Sequence, residues 1–320
     1  DVAKGKTLSE KTIVVSGNAI ESILNGYVNG ADTDTHIDLK KQVVMPGFID
    51  MHVHIEHESN PRTYMNRFTE NEADVALGAT VYAKRTLMAG FTTVRDLGGS
   101  GVNIALRKAI AKGTVIGPRI FTAGKAIGTT GGHADPTNGR SYDLMGDPGA
   151  REGVVNSASD ARKAVRQRYK DGADVIKITA TGGVLSVAKN GQNPQFTADE
   201  LAAIVSTAKD YGMLTAAHAH GDEGMRRAII AGIKTIEHGT LMEPSTMDLM
   251  VKYDAYLVPT ISAGKAAAAN AAIPGYFPEV IAKKALEIGP RSQSTFAMAY
   301  KKGVKIAFGT DAGVAPHGDN

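Results

Sequence analysis

Phe48-Ile-Asp-Met-His-Val-His54 closes an apolar run that begins at Val43. The run predicts a buried strand at 43–50. Because alternate residues of a strand point to the same face, His52 and His54 should aim two imidazoles at one point, at the carboxyl end of the strand. Two neutral imidazoles on one face make half of a metal site. The alternative, a pair of partly exposed loop histidines, is disfavoured because later strand ends carry matching ligands.

Strand-like and helical segments alternate from residue 43 onward. Helical periodicity is found at 71–89, 159–171, 197–211 and 222–231. The predicted strands are 43–50, 91–96, 119–124, 174–180, 213–218, 234–238, 256–261 and 304–310. This alternation predicts an α/β protein whose main body is a (β/α)8 TIM-like barrel. A doubly wound open sheet is the alternative, but it would not bring so many strand ends to one point.

The N-terminal residues 1–42 are predicted to belong to a small β-sheet domain, an extension of the barrel. Two β-like segments, 12–16 and 19–24, flank Gly17-Asn18, which is typical of a hairpin turn. Residues 43–320 are predicted to form the barrel. Since the chain ends soon after the last predicted strand, we expect it to be truncated at the C-terminus, with the last helix missing.

The composition is that of a globular protein with little net charge. Hydrophobic residues make up 42% and charged residues 22% of the chain, and the net charge is +3. So small a charge gives no reason to expect a nucleic-acid partner, and no segment approaches the roughly 18 apolar residues of a membrane span. The absence of cysteine excludes disulfides and thiolate ligands. With no signal peptide within the chain, its localisation stays open between export to a periplasm and the cytoplasm.

Four further strand ends carry residue types that suit a divalent cation: Lys177, His218, His238 and Asp311. Each ends an apolar run and precedes a glycine-bearing loop, which is where catalytic groups collect in a barrel. Taken singly, a strand-end histidine, a snorkelling lysine or a turn aspartate is usually structural. Their combination with the two histidines of the first strand predicts a metal centre.

These motifs together resemble those of one family. The chain is similar to the amidohydrolase superfamily, in the branch that contains Xaa-Pro dipeptidases, Arg/Lys-releasing carboxypeptidases and ochratoxin-hydrolysing amidases. The resemblance extends over essentially the whole chain. Besides the ligands above, it is carried by Pro46–His54, Ala89–Arg95, Gly117–Phe121, Thr130–Ala134, Thr181–Val184, His218–Gly221 and Gly309–Gly313.

The resemblance implies a binuclear metal centre. His52, His54 and Asp311 would hold one metal, and His218 and His238 would hold the other. The lysine of the fourth strand, Lys177, would bridge both as a carbamate formed with CO2. Independently of the family, an ammonium has no lone pair and cannot bind a cation, whereas a carbamate can. Zinc is the expected metal, although Mn²⁺ and Co²⁺ also suit nitrogen and oxygen ligands.

The implied reaction is hydrolysis by a metal-bridging hydroxide, formed from water whose pKa is lowered to about 7. Asp311 would orient the hydroxide and pass its proton to the leaving amine. His133 and His220 are further catalytic candidates, to stabilise an oxyanion or hold a substrate carboxylate, with an equally good alternative as residues that orient loops or ligands. His57 and His317 are weaker substrate-binding candidates.

Three other residues near these motifs are assigned smaller parts. Arg95 is a weaker site candidate, and His36 is expected to be a surface residue of the N-terminal sheet. Glu237 precedes the ligand His238, and strand alternation should turn it away from the barrel interior.

We therefore expect a metal-dependent hydrolase that cleaves an amide bond next to a C-terminal residue, in a dipeptide, an Xaa-Pro-type substrate or an N-acyl amino acid. The alternative is a detoxifying amidase of ochratoxin-like N-acyl amino acids. A remote alternative is a non-catalytic scaffold, which should have lost ligands. Loops at 125–150 and 262–280 show no clamp for a basic side chain, which favours an apolar or proline-type leaving residue. We also expect a homo-oligomer.

Overall fold

The chain folds into two compact units, Asp1–Gly47 and Phe48–Asn320, in a computed structural model that describes residues 1–188 and 190–319. The predicted division into 1–42 and 43–320 stays a prediction.

The first unit contains a β-hairpin. Strand β1 (Lys11–Ser16) pairs antiparallel with β2 (Ala19–Asn25). The turn between them contains Gly17, whose φ of 59° lies in the left-handed region that glycine adopts without steric cost. This hairpin agrees with the turn expected at Gly17-Asn18.

The second unit contains two parallel sheets. One has the order β3-β4-β5, and the other has the order β10-β9-β8-β7-β6. Their strands are β3 (Phe48–Val53), β4 (Phe91–Asp96), β5 (Arg119–Thr122), β6 (Val175–Thr179), β7 (Leu214–Ala219), β8 (Thr235–His238), β9 (Tyr256–Val258) and β10 (Lys305–Ile306).

Helices separate most of these strands along the chain, which confirms the predicted α/β class. None of the described helices is both long and apolar enough to cross a membrane. The helices are α1 (Thr63–Thr69), α2 (Glu72–Met88), α3 (Val102–Ala111), α4 (Tyr142–Met145), α5 (Ala158–Asp171), α6 (Ala198–Asp210), α7 (Asp222–Ala231), α8 (Pro244–Lys252), α9 (Ile261–Ala271), α10 (Glu279–Ile288) and α11 (Ser292–Lys301).

Backbone hydrogen bonds also join the two sheets to each other. After β5, Ile127 N donates to Lys177 O of β6 at 2.8 Å. At the opposite edges, Asp311 N, which follows β10, donates to His52 O of β3 at 2.7 Å. The segments that carry the predicted ligands therefore adjoin one another on both sides.

The largest apolar core lies around β6 to β9 and the helices that follow them. Helix α6 begins with a capping box in which Thr197 and Glu200 exchange hydrogen bonds, and this fixes the start of the helix over the sheet. Fully or almost fully buried core side chains include Ile176, Ile178, Leu201, Ile204, Met225, Ile229, Ile236 and Leu257.

The first strand of this unit starts later than predicted. Residues 43–47 are exposed and outside any strand, and β3 begins only at Phe48. Pro46 has no N–H for a ladder, and glycine weakens a strand, so the pair Pro46-Gly47 interrupts pairing. Because β3 runs on to Val53, His52 lies within the strand and His54 directly follows it.

Candidate metal centre

The predicted ligands meet at the carboxyl ends of the strands. The ring centroids of His52 and His238 are 5.2 Å apart, and those of His218 and His238 are 4.6 Å apart. The contributing positions are His52 on β3, His54 after it, Lys177 on β6, His218 on β7, His238 on β8 and Asp311 after β10.

Two groups of three side chains have ligand atoms close enough to share a cation. The atoms of His52, His238 and Asp311 lie within 4.8 Å of one another, and so do those of His218, His220 and His238. His238 belongs to both groups. His220, a catalytic candidate in the sequence, therefore also has the geometry of a ligand.

Two atoms of the first group are buried and have no hydrogen-bond partner. They are His52 Nε2 and Asp311 Oδ1, which lie 3.5 Å apart, and His54 Nε2 lies 3.4 Å from the same oxygen. A buried polar atom without a partner costs about 1–3 kcal/mol. A divalent cation between these nitrogen and oxygen atoms would satisfy them, so the donor set fits a metal.

Burial keeps the clustered histidines neutral, which is the form that binds a metal. It lowers the pKa of His52 and of His220 to about 4. It also lowers the pKa values of His54, His218 and His238 well below the usual 6.5, and neighbouring positive charges add to the effect.

Backbone carbonyls decide which ring nitrogen carries the proton in two of these histidines. His54 Nδ1 donates to Gly98 O at 2.7 Å, which leaves the lone pair on Nε2. His218 is turned the other way, because its Nε2 donates to Gly182 O at 3.0 Å. Its lone pair is therefore on Nδ1. The two residues offer different ring atoms to the same cluster.

Glu237 faces the histidine cluster, and the expectation that it points away from the interior is wrong. Its side chain is fully buried, Oε2 accepts a hydrogen bond from His52 Nδ1 at 2.9 Å, and Oε1 accepts one from Arg95 Nη2 at 2.8 Å. The reason is the next residue, His238, whose φ of 72° is left-handed. Strand alternation ends there, so two successive side chains both reach the centre.

Glu237 orients His52 through its charge. Burial by itself raises the pKa of Glu237, but the Arg95 guanidinium and the His52 hydrogen bond lower that pKa to about 2. The ionised carboxylate can only accept, so His52 Nδ1 must donate and the lone pair is held on Nε2, which faces Asp311.

Glu237→Gln is expected to weaken metal binding by about 10- to 100-fold, the range for residues that orient a ligand. The amide oxygen would stay with Arg95, so the amide NH2 would face His52 Nδ1 and move the ring proton to the nitrogen that binds the metal. Competition with a chelator measures the affinity. The exposed carboxylate Glu243→Gln is the matched control, and equal affinities for the two variants would contradict this role.

Lys177 and Asp311 are both buried, and burial disfavours the charge of each. It lowers the pKa of Lys177 to about 8 and raises that of Asp311 to about 7. At a given pH, a lysine with a lowered pKa is present as the neutral amine in a larger fraction of molecules than an ordinary lysine, and the neutral amine is the nucleophilic form. Asp311 has a left-handed φ of 58°, a conformation that aspartate tolerates better than most residues and that marks functional turns.

His133 lies directly beside the cluster. Its ring stacks on that of His218 with centroids 4.3 Å apart, and its buried Nδ1 has no hydrogen-bond partner. Gly183 packs against the other side, where a Cβ would overlap the His133 ring. The ring is therefore held between these two residues, and one of its polar atoms, Nδ1, is buried without a partner.

The weaker candidates take structural positions. His317 is buried, and its Nε2 donates to His54 O at 3.2 Å and His57 O at 3.0 Å, which ties down the segment after β3. His57 is exposed, with its ring stacked on His54 at 5.5 Å. Arg95 donates from Nη2 to Glu237 Oε1 and from Nε to Met51 O. It therefore holds Glu237, which in turn bonds to His52. His36 is exposed, in agreement with the expectation.

The chain belongs to the amidohydrolase family, because residues 43–319 match that family. An ochratoxinase from Aspergillus niger is 31% identical over 326 residues, an alignment that covers 97% of this chain but 65% of the relative. Membership of this family gives the present chain a fold of the TIM-barrel type.

Two solved structures are similar over most of the chain. A Xaa-Pro dipeptidase with methionine bound in its active site is 54% identical with a TM-score of 0.92, and the match covers 96% of this chain and 75% of that one. A prolidase complexed with N-methylphosphonate-L-proline is 33% identical with a TM-score of 0.89, covering 97% and 76%.

Sequence reasoning missed the residues that orient the ligands. Two of them are hydroxyls: His220 Nδ1 bonds to Thr240 Oγ1 at 3.0 Å, and His238 Nδ1 bonds to Thr260 Oγ1 at 2.7 Å. Each threonine lies just after a strand, like the ligands themselves. This position after a strand could have indicated a role beside the ligands. Threonine is common in strands and turns, however, so its presence there is not specific.

Proposed function

We propose that this chain is a metal-dependent hydrolase that cleaves an amide bond next to a C-terminal residue, in a dipeptide, an Xaa-Pro-type substrate or an N-acyl amino acid. The observation that carries the proposal is the pair of buried, unpartnered atoms His52 Nε2 and Asp311 Oδ1 among neutral histidines. The similarity to a Xaa-Pro dipeptidase and a prolidase supports it.

We also propose that the two sheets close into a (β/α)8 barrel around the site. Hydrogen bonds across both pairs of sheet edges, from Ile127 to Lys177 and from Asp311 to His52, support this closure. In a closed barrel, active sites lie at the carboxyl ends of the strands, which is the end where the histidine cluster is found.

The metal-holding residues would be His52, His54 and Asp311 for one cation and His218 and His238 for the second. The carbamate of Lys177 would be the bridging anion, since the side chain is buried and its pKa is lowered to about 8. When bound, two divalent cations supply a nucleophile by lowering the pKa of water and polarise the scissile carbonyl. Zinc is the proposed metal.

The residues of the chain would then move the proton and hold the substrate. The Asp311 carboxylate would accept a proton from the attacking water and pass it to the leaving nitrogen, so that the C–N bond breaks with release of a neutral amine. His133 would donate from its unpartnered Nδ1 to the oxygen of the tetrahedral carbon.

The charges around His133 favour a substrate with a free carboxylate. Burial is the main cause that lowers the pKa of His133 to about 3, and nearby positive charges that include Lys284 and Arg67 contribute to this shift. The guanidinium of Arg67 lies over the Tyr64 ring, 5.6 Å from its centroid, and does not pair with a carboxylate among the described residues. This positive charge is available to attract the carboxylate of a C-terminal residue.

A second candidate function rests on the ochratoxinase similarity. That relative is 31% identical over 97% of this chain. The same cluster could then hydrolyse an ochratoxin-like N-acyl amino acid. The two candidate functions would share the reaction and differ only in the residues that contact the leaving group.

The test is a substrate panel assayed by amine release. It should contain Xaa-Pro and other dipeptides, N-acyl amino acids including an ochratoxin-type amide, and the same compounds with the carboxylate converted to an amide. We expect hydrolysis of one of the carboxylate classes, little turnover of its amidated form, loss of activity on chelation and recovery on metal addition. Turnover that survives complete metal removal, or a panel with no hydrolysed member, would overturn the proposal.

A further inference from the structure

Lys284 is a buried lysine whose ammonium is held entirely by backbone carbonyls. It lies on α10 and is 6% exposed. Its Nζ donates to Gly183 O at 2.8 Å, to Ser186 O at 2.6 Å and to Ala188 O at 2.8 Å. An ammonium has three N–H groups, and all three go to one short segment, residues 183–188.

The 183–188 segment forms a wall of the histidine cluster. Gly183 packs flat against the His133 ring, and a Cβ there would overlap it. The preceding residue, Gly182, accepts the hydrogen bond from His218 Nε2 at 3.0 Å that leaves the lone pair of that ring on Nδ1. The position of this segment therefore sets the positions of two rings of the site.

Among the described residues, two side chains from other parts of the chain donate hydrogen bonds to the segment, those of Tyr64 and Lys284. Tyr64 donates from its hydroxyl to Leu185 O at 2.8 Å. The Lys284 ammonium donates to the segment from a helix that lies 101 residues after Gly183 in the chain. No carboxylate pairs with Lys284 in the described residues, so its buried charge is stabilised by the segment alone. Loss of the ammonium would remove a donor from all three carbonyls and leave Gly183 O with only the Ser186 hydroxyl at 3.5 Å.

We propose that Lys284 is a positioning residue of the metal centre. Its ammonium gathers the carbonyls of the 183–188 segment, so that Gly182 orients His218 and Gly183 supports His133. This inference rests on the proposed function, because it assigns His218 to a metal and His133 to the substrate. Lys284 itself contacts neither group.

The experiment compares Lys284→Met with Lys283→Met, an exposed lysine on the same helix. The methionine keeps length and apolar contacts but removes the donors. We expect Lys284→Met to lose about 10- to 100-fold in affinity for the more weakly held zinc ion, measured by chelator competition. We also expect faster cleavage by chymotrypsin after Leu185, identified by mass spectrometry, and a higher KM together with a lower kcat. The control should match the wild type.

A merely structural lysine would give a different result. Lys284→Met would then lower Tm, yet well below Tm it would bind zinc like the control and resist cleavage at Leu185, and this outcome overturns the proposal. If the methionine variant does not fold, Lys284→Arg provides the same comparison, since a planar guanidinium keeps the charge but cannot meet three carbonyls in the same directions. Zinc affinity and proteolysis need no substrate, so a wild type that hydrolyses nothing would refute the proposed function and leave this inference testable.

Discussion

Replacing Lys177 by alanine is expected to abolish hydrolysis, with a loss of about 10³-fold or more in kcat/KM, because a metal centre supplies several kcal/mol and each 1.36 kcal/mol is tenfold. The side chain is buried on β6 beside Asp311 and Glu237, whose charges act on its pKa. Alanine removes the only group on this strand that could become a bridging anion. Metal analysis should show fewer than two ions per chain.

Added short-chain carboxylic acids give the decisive control for Lys177→Ala. If the lysine acts as a carboxylate-like bridge, acetate or propionate entering the vacated space should restore part of the activity and of the metal content. Lys170→Ala, an exposed lysine on α5, should behave like the wild type. Full activity of Lys177→Ala with two metals bound would refute the bridging role.

Replacing Asp311 by asparagine is expected to retain much of the metal and to lose about 10²- to 10⁴-fold in kcat, the range for a lost general acid–base. Asparagine keeps an oxygen ligand and the shape of the residue but cannot take up a proton. Asp311 suits the role because it is buried, its Oδ1 has no hydrogen-bond partner, and it lies within 3.5 Å of His52 Nε2.

The pH profile tests the same assignment. Burial raises the pKa of Asp311 to about 7, and nearby divalent cations would lower it again because they favour the anion. Activity should therefore fall on the acid side as the carboxylate is protonated, at a pH lower than 7 because the bound cations favour the anion, and this limb should vanish in Asp311→Asn. Asp319→Asn is the control, since Asp319 is exposed. Near-normal turnover with an unchanged profile would move the proton transfer to His220 or His133.

The clustering of the candidate ligands could be predicted from sequence because their positions obey local rules. A strand places alternate residues on one face, and a parallel sheet gathers strand ends at one edge, so the histidines at 52 and 54 and the aspartate at 311 could be expected near one another. The same rule failed at Glu237. Its prediction assumed that alternation continues through His238, whose left-handed φ ends it. A left-handed histidine has no reliable sequence signature.

The sequence by itself determined the α/β class and which side chains meet at the strand ends, because hydrophobic periodicity and strand alternation are properties of short segments. Tertiary structure alone decided how those side chains are oriented. Glu237 reaches His52 across 185 residues of chain, and Lys284 reaches Gly183 across 101. Such contacts depend on how distant segments pack, and neither residue stands out locally, since a glutamate in a strand and a lysine in a helix are normally solvated. Only the fold places their charges in the interior, where each needs a specific partner.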